Sequence, residues 1–209
     1  MSENKVIACG QTINGNHSRE DYFNTVLTGG KITHFYLNGD IDEESKWYFP
    51  ALHLFNNASK YDEIYLHLNT PGGNMYMTVQ LLNAINTCAG NIHLIVEGEC
   101  GSAGTMIAFG GKYKSIQISD FSIFLFHTTT AGSYDRIDIA KTYLKSIEKW
   151  STFIDRQCYR GILTEEELNQ LEEGAEIYLL ASDVKTRLAA RDNSGESFDI
   201  KKKSSKKDN

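Results

Sequence analysis

The chain has 209 residues with a hydrophobic share of 41%, enough for one well-filled core and too little for two domains with tails. Its formal net charge of -6 argues against nucleic acid as the main partner, because the one basic run, at 201–207, lies in a tail with nothing apolar to anchor it. No stretch approaches the roughly 18 consecutive apolar residues of a membrane span, and the first residues do not read as a signal peptide, so a cytoplasmic protein without membrane contact is expected.

Residues 1–30 are polar, weakly patterned and rich in Gly, Asn and Ser, and read as an arm preceding the core, which is expected over 31–195. Residues 196–209 read as a disordered basic tail. Within the core the pattern predicts a strand at 32–37, a helix at 43–58, a strand at 63–68 and, after Pro71-Gly72-Gly73, a helix at 75–88. A third unit repeats the rhythm with a strand at 92–96, a turn at 97–102 and a short apolar helix at 103–109. Such strand, turn, helix units predict an α/β fold with parallel strands and crossover helices. Strands at 114–119 and 122–127 are separated so briefly that they form a tight pair or one bent strand.

From 134 to 160 apolar residues recur at three and four positions, including Ile137, Leu144, Ile147 and Ile154, which predicts the longest helix, closed by Gly161. A helix of that length, about 38 Å at 1.5 Å per residue, exceeds what the domain needs and suggests a projecting element that meets a partner subunit. Thr164 and Glu167 form a capping box for a helix reaching 173. An extended segment at 175–180 and a helix capped by Ser182 and ending near 190 complete the core.

Four cysteines (Cys9, Cys88, Cys100, Cys158) form no CxxC pair, and the six histidines lack the i, i+4 spacing of a helix-borne metal site. No metal and no cofactor are expected. The chemistry lies instead in Gly98-Glu99-Cys100-Gly101-Ser102-Ala103-Gly104, in His127 at the end of an apolar run, and in Asn69-Thr70-Pro71-Gly72-Gly73. Singly, each segment has a structural explanation: a packing turn, a strand-end histidine, a reverse turn. Together, at the ends of predicted strands, they supply a serine nucleophile, an imidazole base and backbone amides suited to an oxyanion.

In these segments, and in Phe35-Tyr36-Leu37-Asn38-Gly39 and Phe124-Leu125-Phe126-His127, the chain resembles the proteolytic subunit of the Clp protease, a serine peptidase family of crotonase-like fold. The resemblance runs from about 36 to 192. Gly73 precedes Ser102 by 29 positions and Ser102 precedes His127 by 25, which fits the family layout without a gap. The resemblance implies Ser102 as nucleophile, His127 as general base, and the amides of Gly73 and Ala103 as the oxyanion hole. The family's third member is an Asp. The matching position holds Glu176, with Asp183 and Glu173 as reserves.

The resemblance further implies a homo-oligomeric ring, expected to be heptameric, as one ring or two stacked. The long helix would be its handle and the N-terminal arm its axial loop. An AAA+ Clp ATPase would deliver peptide or unfolded protein, and it alone would use ATP. The family's Arg-Asp ring-pairing pattern is missing at Ala175-Glu176, and His67 replaces an aromatic on the strand that receives ATPase loops. Two alternatives remain open: a catalytically silent ring subunit, and an acyl-CoA enzyme of crotonase-like fold, which would need no Ser-His pair.

Overall fold

The computed structural model describes residues 23–28, 30–129 and 137–194. The expected arm over 1–22, the first turn of the long helix at 134–136 and the tail at 196–209 lie outside the described residues.

Alternation of apolar and polar residues builds one mixed sheet. Its strands are β1 (Phe23–Thr28), β2 (Gly30–Asn38), β3 (Glu63–Thr70), β4 (Asn91–Gly101), β5 (Ser115–Ile118), β6 (Ile123–Phe126) and β7 (Ile177–Leu180). The order is β1-β2-β3-β4-β6-β7, with β5 pairing on β4. β2, β3 and β4 run parallel, as the crossover rhythm predicts, while β1 on β2 and β7 on β6 are antiparallel. On one face Phe35, Leu37, Ile64, Leu66, Leu68, Leu94 and Val96 are fully buried. Helices α1 (Tyr48–Asn57), α2 (Met75–Thr87) and α3 (Ala103–Gly110) belong to that core. Phe55 of α1 meets Phe35 edge-on, and Phe109 of α3 packs on Phe124 and Phe126 of β6. α4 (Ile137–Cys158), α5 (Glu165–Glu172) and α6 (Ala181–Ser194) complete the chain.

Five expectations are corrected. Residues 23–28, assigned to the arm, form β1, whose register depends on pairing with β2 and not on local pattern. α1 starts at Tyr48 rather than 43, because a helix from 43 would put Pro50 where its ring meets the carbonyl of residue 46; starting at 48 leaves Pro50 in the first turn. The turn expected at 97–102 is largely strand: β4 continues to Gly101 through a register shift between Leu68 and Thr70 of β3. β5 and β6 do not pair with each other. Both lie parallel to β4, on successive stretches of it. Finally, α6 begins one residue before Ser182 and runs to Ser194, and the Asp183 carboxylate accepts from the Leu180 amide at 3.2 Å.

The Thr164–Glu167 capping box is present, and Glu167 is also held by both terminal nitrogens of Arg187 at 2.7 and 2.9 Å. α4 carries an exposed apolar set, including Ile139, Leu144 and Phe153.

Candidate active site

β4 delivers Ser102 to the N-cap of α3 with φ 51° and ψ -120°. Among the described residues it is the one non-glycine with positive φ. Such backbone costs on the order of 1–3 kcal/mol and persists only where the surroundings enforce it. Here they do. The Ser102 amide donates to the Leu125 carbonyl of β6 at 2.7 Å, and its carbonyl accepts from the Thr105 amide at 2.9 Å. A Cβ on Gly101 would lie 2.7 Å from the Pro71 carbonyl oxygen, and one on Gly72 would lie 2.7 Å from Ser102 Cβ. Glycine at both positions lets the Pro71-Gly72-Gly73 turn press against the serine turn.

That turn is itself strapped down. Ile41 donates to the Gly72 carbonyl at 2.8 Å, Asn74 donates to the Ile41 carbonyl at 2.7 Å, and Asn74 Oδ1 caps α2. These bonds leave the Gly73 amide unused. Among the described residues neither it nor the Ala103 amide, at the start of α3, donates to any backbone acceptor.

His127 follows β6 and is half-buried. Its Nδ1 lies 2.7 Å from the Thr128 carbonyl oxygen, which only accepts, so Nδ1 is the donor and in the neutral ring Nε2 keeps the lone pair. That is the tautomer a general base requires. Ser102, Ala103, Gly73 and His127 line one cavity of about 450 Å³. Among the described residues no hydrogen bond joins Ser102 Oγ to His127.

Glu176 adjoins β7. Phe126 pairs with Ile177 across antiparallel strands, so residue 176 falls beside residue 127. Its exposed carboxylate accepts from Tyr178 at 3.1 Å and raises the pKa of that phenol, and it is not among the cavity residues. Of the reserves, Asp183 is engaged at the start of α6 and Glu173 caps α5.

α4 closes the cavity with Tyr143, Ile147 and Trp150. Tyr76 of α2 stacks on Trp150 at 5.5 Å and meets the Tyr143 hydroxyl at 2.9 Å. These wall residues were missed; aromatics on the helix after the Pro-Gly-Gly turn and on the long helix were the available signal. Cys100, two residues before the serine, is fully buried, and burial pushes its thiol pKa far up, leaving it inert as a competing nucleophile.

The cavity thus brings together a serine in unfavourable backbone on a strand-to-helix turn, an imidazole and two amides with no backbone acceptor, on an α/β fold. The profile of the Clp protease family matches residues 16–176. The chain belongs to that family. It is a divergent member: over 127 residues it is 24% identical to the ATP-dependent Clp protease proteolytic subunit 2 of Pseudomonas aeruginosa PAO1, a match covering 60% of this chain and 63% of that relative's length.

Proposed function

We propose that the chain is a serine endopeptidase subunit of crotonase-like fold that assembles into a ring and cleaves peptides or unfolded proteins fed by an AAA+ ATPase. The observation that carries this reading is Ser102: backbone strain enforced from two sides presents its side chain to the cavity that His127 shares. In the first step Ser102 Oγ attacks the scissile carbonyl carbon while His127 Nε2 takes the hydroxyl proton. The Gly73 and Ala103 amides stabilise the oxyanion, each worth about 3 kcal/mol. The tetrahedral intermediate collapses as the imidazolium gives its proton to the departing amine. Water, activated by the same imidazole, then releases the acyl group and restores the serine. Glu176 orients His127 once Nδ1–H turns from the Thr128 carbonyl to its carboxylate.

Family membership supports a ring and an ATPase partner, and the exposed apolar residues of α4 suit a handle between subunits. A cytoplasmic setting is in keeping with this partner; among the described residues no helix is long and apolar enough to cross a membrane. The sheet face bearing Tyr65 and His67 is the candidate docking surface. There His67 is only 8% exposed and is tied to Glu97 at 2.8 Å and to His34 at 3.0 Å, so this surface is more polar than an aromatic pocket.

A second reading, a catalytically silent ring subunit, draws on the engagement of Glu176 by Tyr178 and of His127 by Thr128. Fluorophosphonate labelling with a peptidase assay on the pure chain separates the two. Labelling at Ser102 that disappears with peptide cleavage in Ser102→Ala supports the peptidase; an unlabelled, inactive but assembled parent supports the silent subunit.

A further inference from the structure

The Ala103 amide and the Ser102 carbonyl are two ends of one planar trans peptide, so whatever orients the carbonyl also aims the N–H. Two groups hold that carbonyl: the Thr105 amide at 2.9 Å and the Thr105 hydroxyl at 2.5 Å. The hydroxyl has a single proton, and the carbonyl can only accept, so Thr105 spends its proton there. Its second contact, with the Tyr159 hydroxyl at 2.9 Å, is therefore donated by Tyr159. The result is a one-way chain from Tyr159 O–H to Thr105 O–H to the Ser102 carbonyl. Both side-chain bearers are 0% exposed, and in such surroundings successive hydrogen bonds polarise and strengthen one another.

Tyr159 lies just beyond α4, and neither it nor Thr105 lines the cavity. Burial, then the nearby Asp155, pushes its phenol well above the ordinary range, which keeps it a donor. Its ring meets Phe126 edge-on at 5.1 Å, one residue before His127. We propose that Tyr159 is a positioning residue: acting through Thr105, it latches the Ser102–Ala103 peptide so that the Ala103 N–H faces the developing oxyanion. This rests on the serine peptidase reading. Without the latch the strained serine turn has one fewer restraint, and rotation of that peptide would put a carbonyl where the amide is needed.

The test uses the full chain with Tyr159→Phe, which keeps the ring, together with Thr105→Val, Thr105→Ser and the Tyr159→Phe/Thr105→Val double variant. Measured are kcat and KM on a fluorogenic peptide, the fluorophosphonate labelling rate, the thermal midpoint, and the Ser102–Ala103 peptide orientation in crystals of parent and Tyr159→Phe. Expected is a fall of about tenfold in kcat and labelling rate for Tyr159→Phe and for Thr105→Val, with KM within about twofold. The double variant should be no worse than the poorer single, since one chain is broken once, and Thr105→Ser should keep the parent kcat. A folded Tyr159→Phe with parent-like kcat, losses that multiply in the double variant, or an effect confined to KM would overturn the latch. If the parent itself is inert and unlabelled, the peptidase reading fails separately. The crystals then decide: a rotated peptide in Tyr159→Phe upholds the latch, and an unmoved one refutes it.

Discussion

Two polar regions share the central strands and treat hydrogen-bonding capacity in opposite ways. Past the C-terminal end of β4, Ser102 Oγ has no hydrogen-bond partner among the described residues, and the Gly73 and Ala103 amides are likewise unspent. On the sheet face of β2, β3 and β4, His34 bonds His67, His67 bonds Glu97, and His93 bridges Glu63 at 2.6 Å and Ser115 at 2.7 Å. His34, Tyr65 and His93 stack in succession at 4.8 and 4.7 Å. A group meant to act on something else must be kept from its neighbours, and rigid backbone achieves this at the serine turn. On the sheet face the same capacity is met side chain to side chain, across neighbouring strands.

The contrast breaks most completely at Gly72. An alanine there would bring its Cβ to 2.7 Å from Ser102 Cβ in backbone of φ 108°, so Gly72→Ala should lose at least a hundredfold in kcat/KM and about 2 kcal/mol of stability in denaturant unfolding. Gly39 is the control. It too has positive φ, 82°, but a Cβ there meets nothing within 4 Å. Gly39→Ala should cost about 1 kcal/mol and leave activity within about twofold. Equal activity in the two variants would mean that the pressed turns do not set the serine.

Glu176 is the one carboxylate near the site that is paired as if it belonged to the other region. If it swings to His127 during turnover, Glu176→Gln should lower kcat by about a hundredfold or more, with KM little changed. Tyr178→Phe removes the competing hydroxyl and should leave kcat unchanged or raise it a fewfold. A Glu176→Gln variant with full activity would remove Glu176 from the mechanism.

How far these regions were legible in the sequence follows from how local their causes are. Gly-Ser-Ala-Gly and Pro-Gly-Gly were readable as turns from their own residues, and as a candidate site only because their separation from each other and from His127 matched one layout. The continuation of β4 to Gly101 was not, since its register shift depends on where β3 and β6 lie beside it. Trp150 and Tyr143 lie outside the apolar set whose spacing predicts the long helix, and only packing against α2 makes them a cavity wall. The start of α1 was legible in principle from Pro50. So was the Glu176–Tyr178 contact, since residues two apart on a strand share a face.

Stability against pH sharpens the contrast through groups that depart from their region's rule. Asp155 of α4 is 4% exposed, and its Oδ1 is the one buried side-chain atom of the described residues without a partner. Burial first, and Glu172 second, raise its pKa from 3.8 to about 7. Its folded value is the higher one, so its stabilising contribution is full below about pH 4 and is lost as pH rises to about 7. At pH 8 the buried charge is a burden, and Asp155→Asn should stabilise by about 1–3 kcal/mol. A loss of stability in that variant would mean the carboxylate has a partner in the assembled protein.

His34 has the opposite sign and the smaller effect. Burial first, then the charge of His67, lower its pKa below 6.5. Its contribution is therefore present above pH 6.5 and lost as pH falls through the lowered folded value. The groups facing it are His67, with Glu97 behind it, and the Tyr65 ring; by register the residue across on β1 is Asn24, which does not titrate. Below pH 6.5 the two slopes oppose each other, so the histidine offsets part of the aspartate's effect on the parent's thermal midpoint. Asp155→Asn should expose the histidine slope, with stability falling as the solution is acidified. Adding His34→Gln should flatten it. If the slope survives that second substitution, the paired histidine face is not its source, and the division between a region that withholds its polar groups and one that spends them would not extend to protonation.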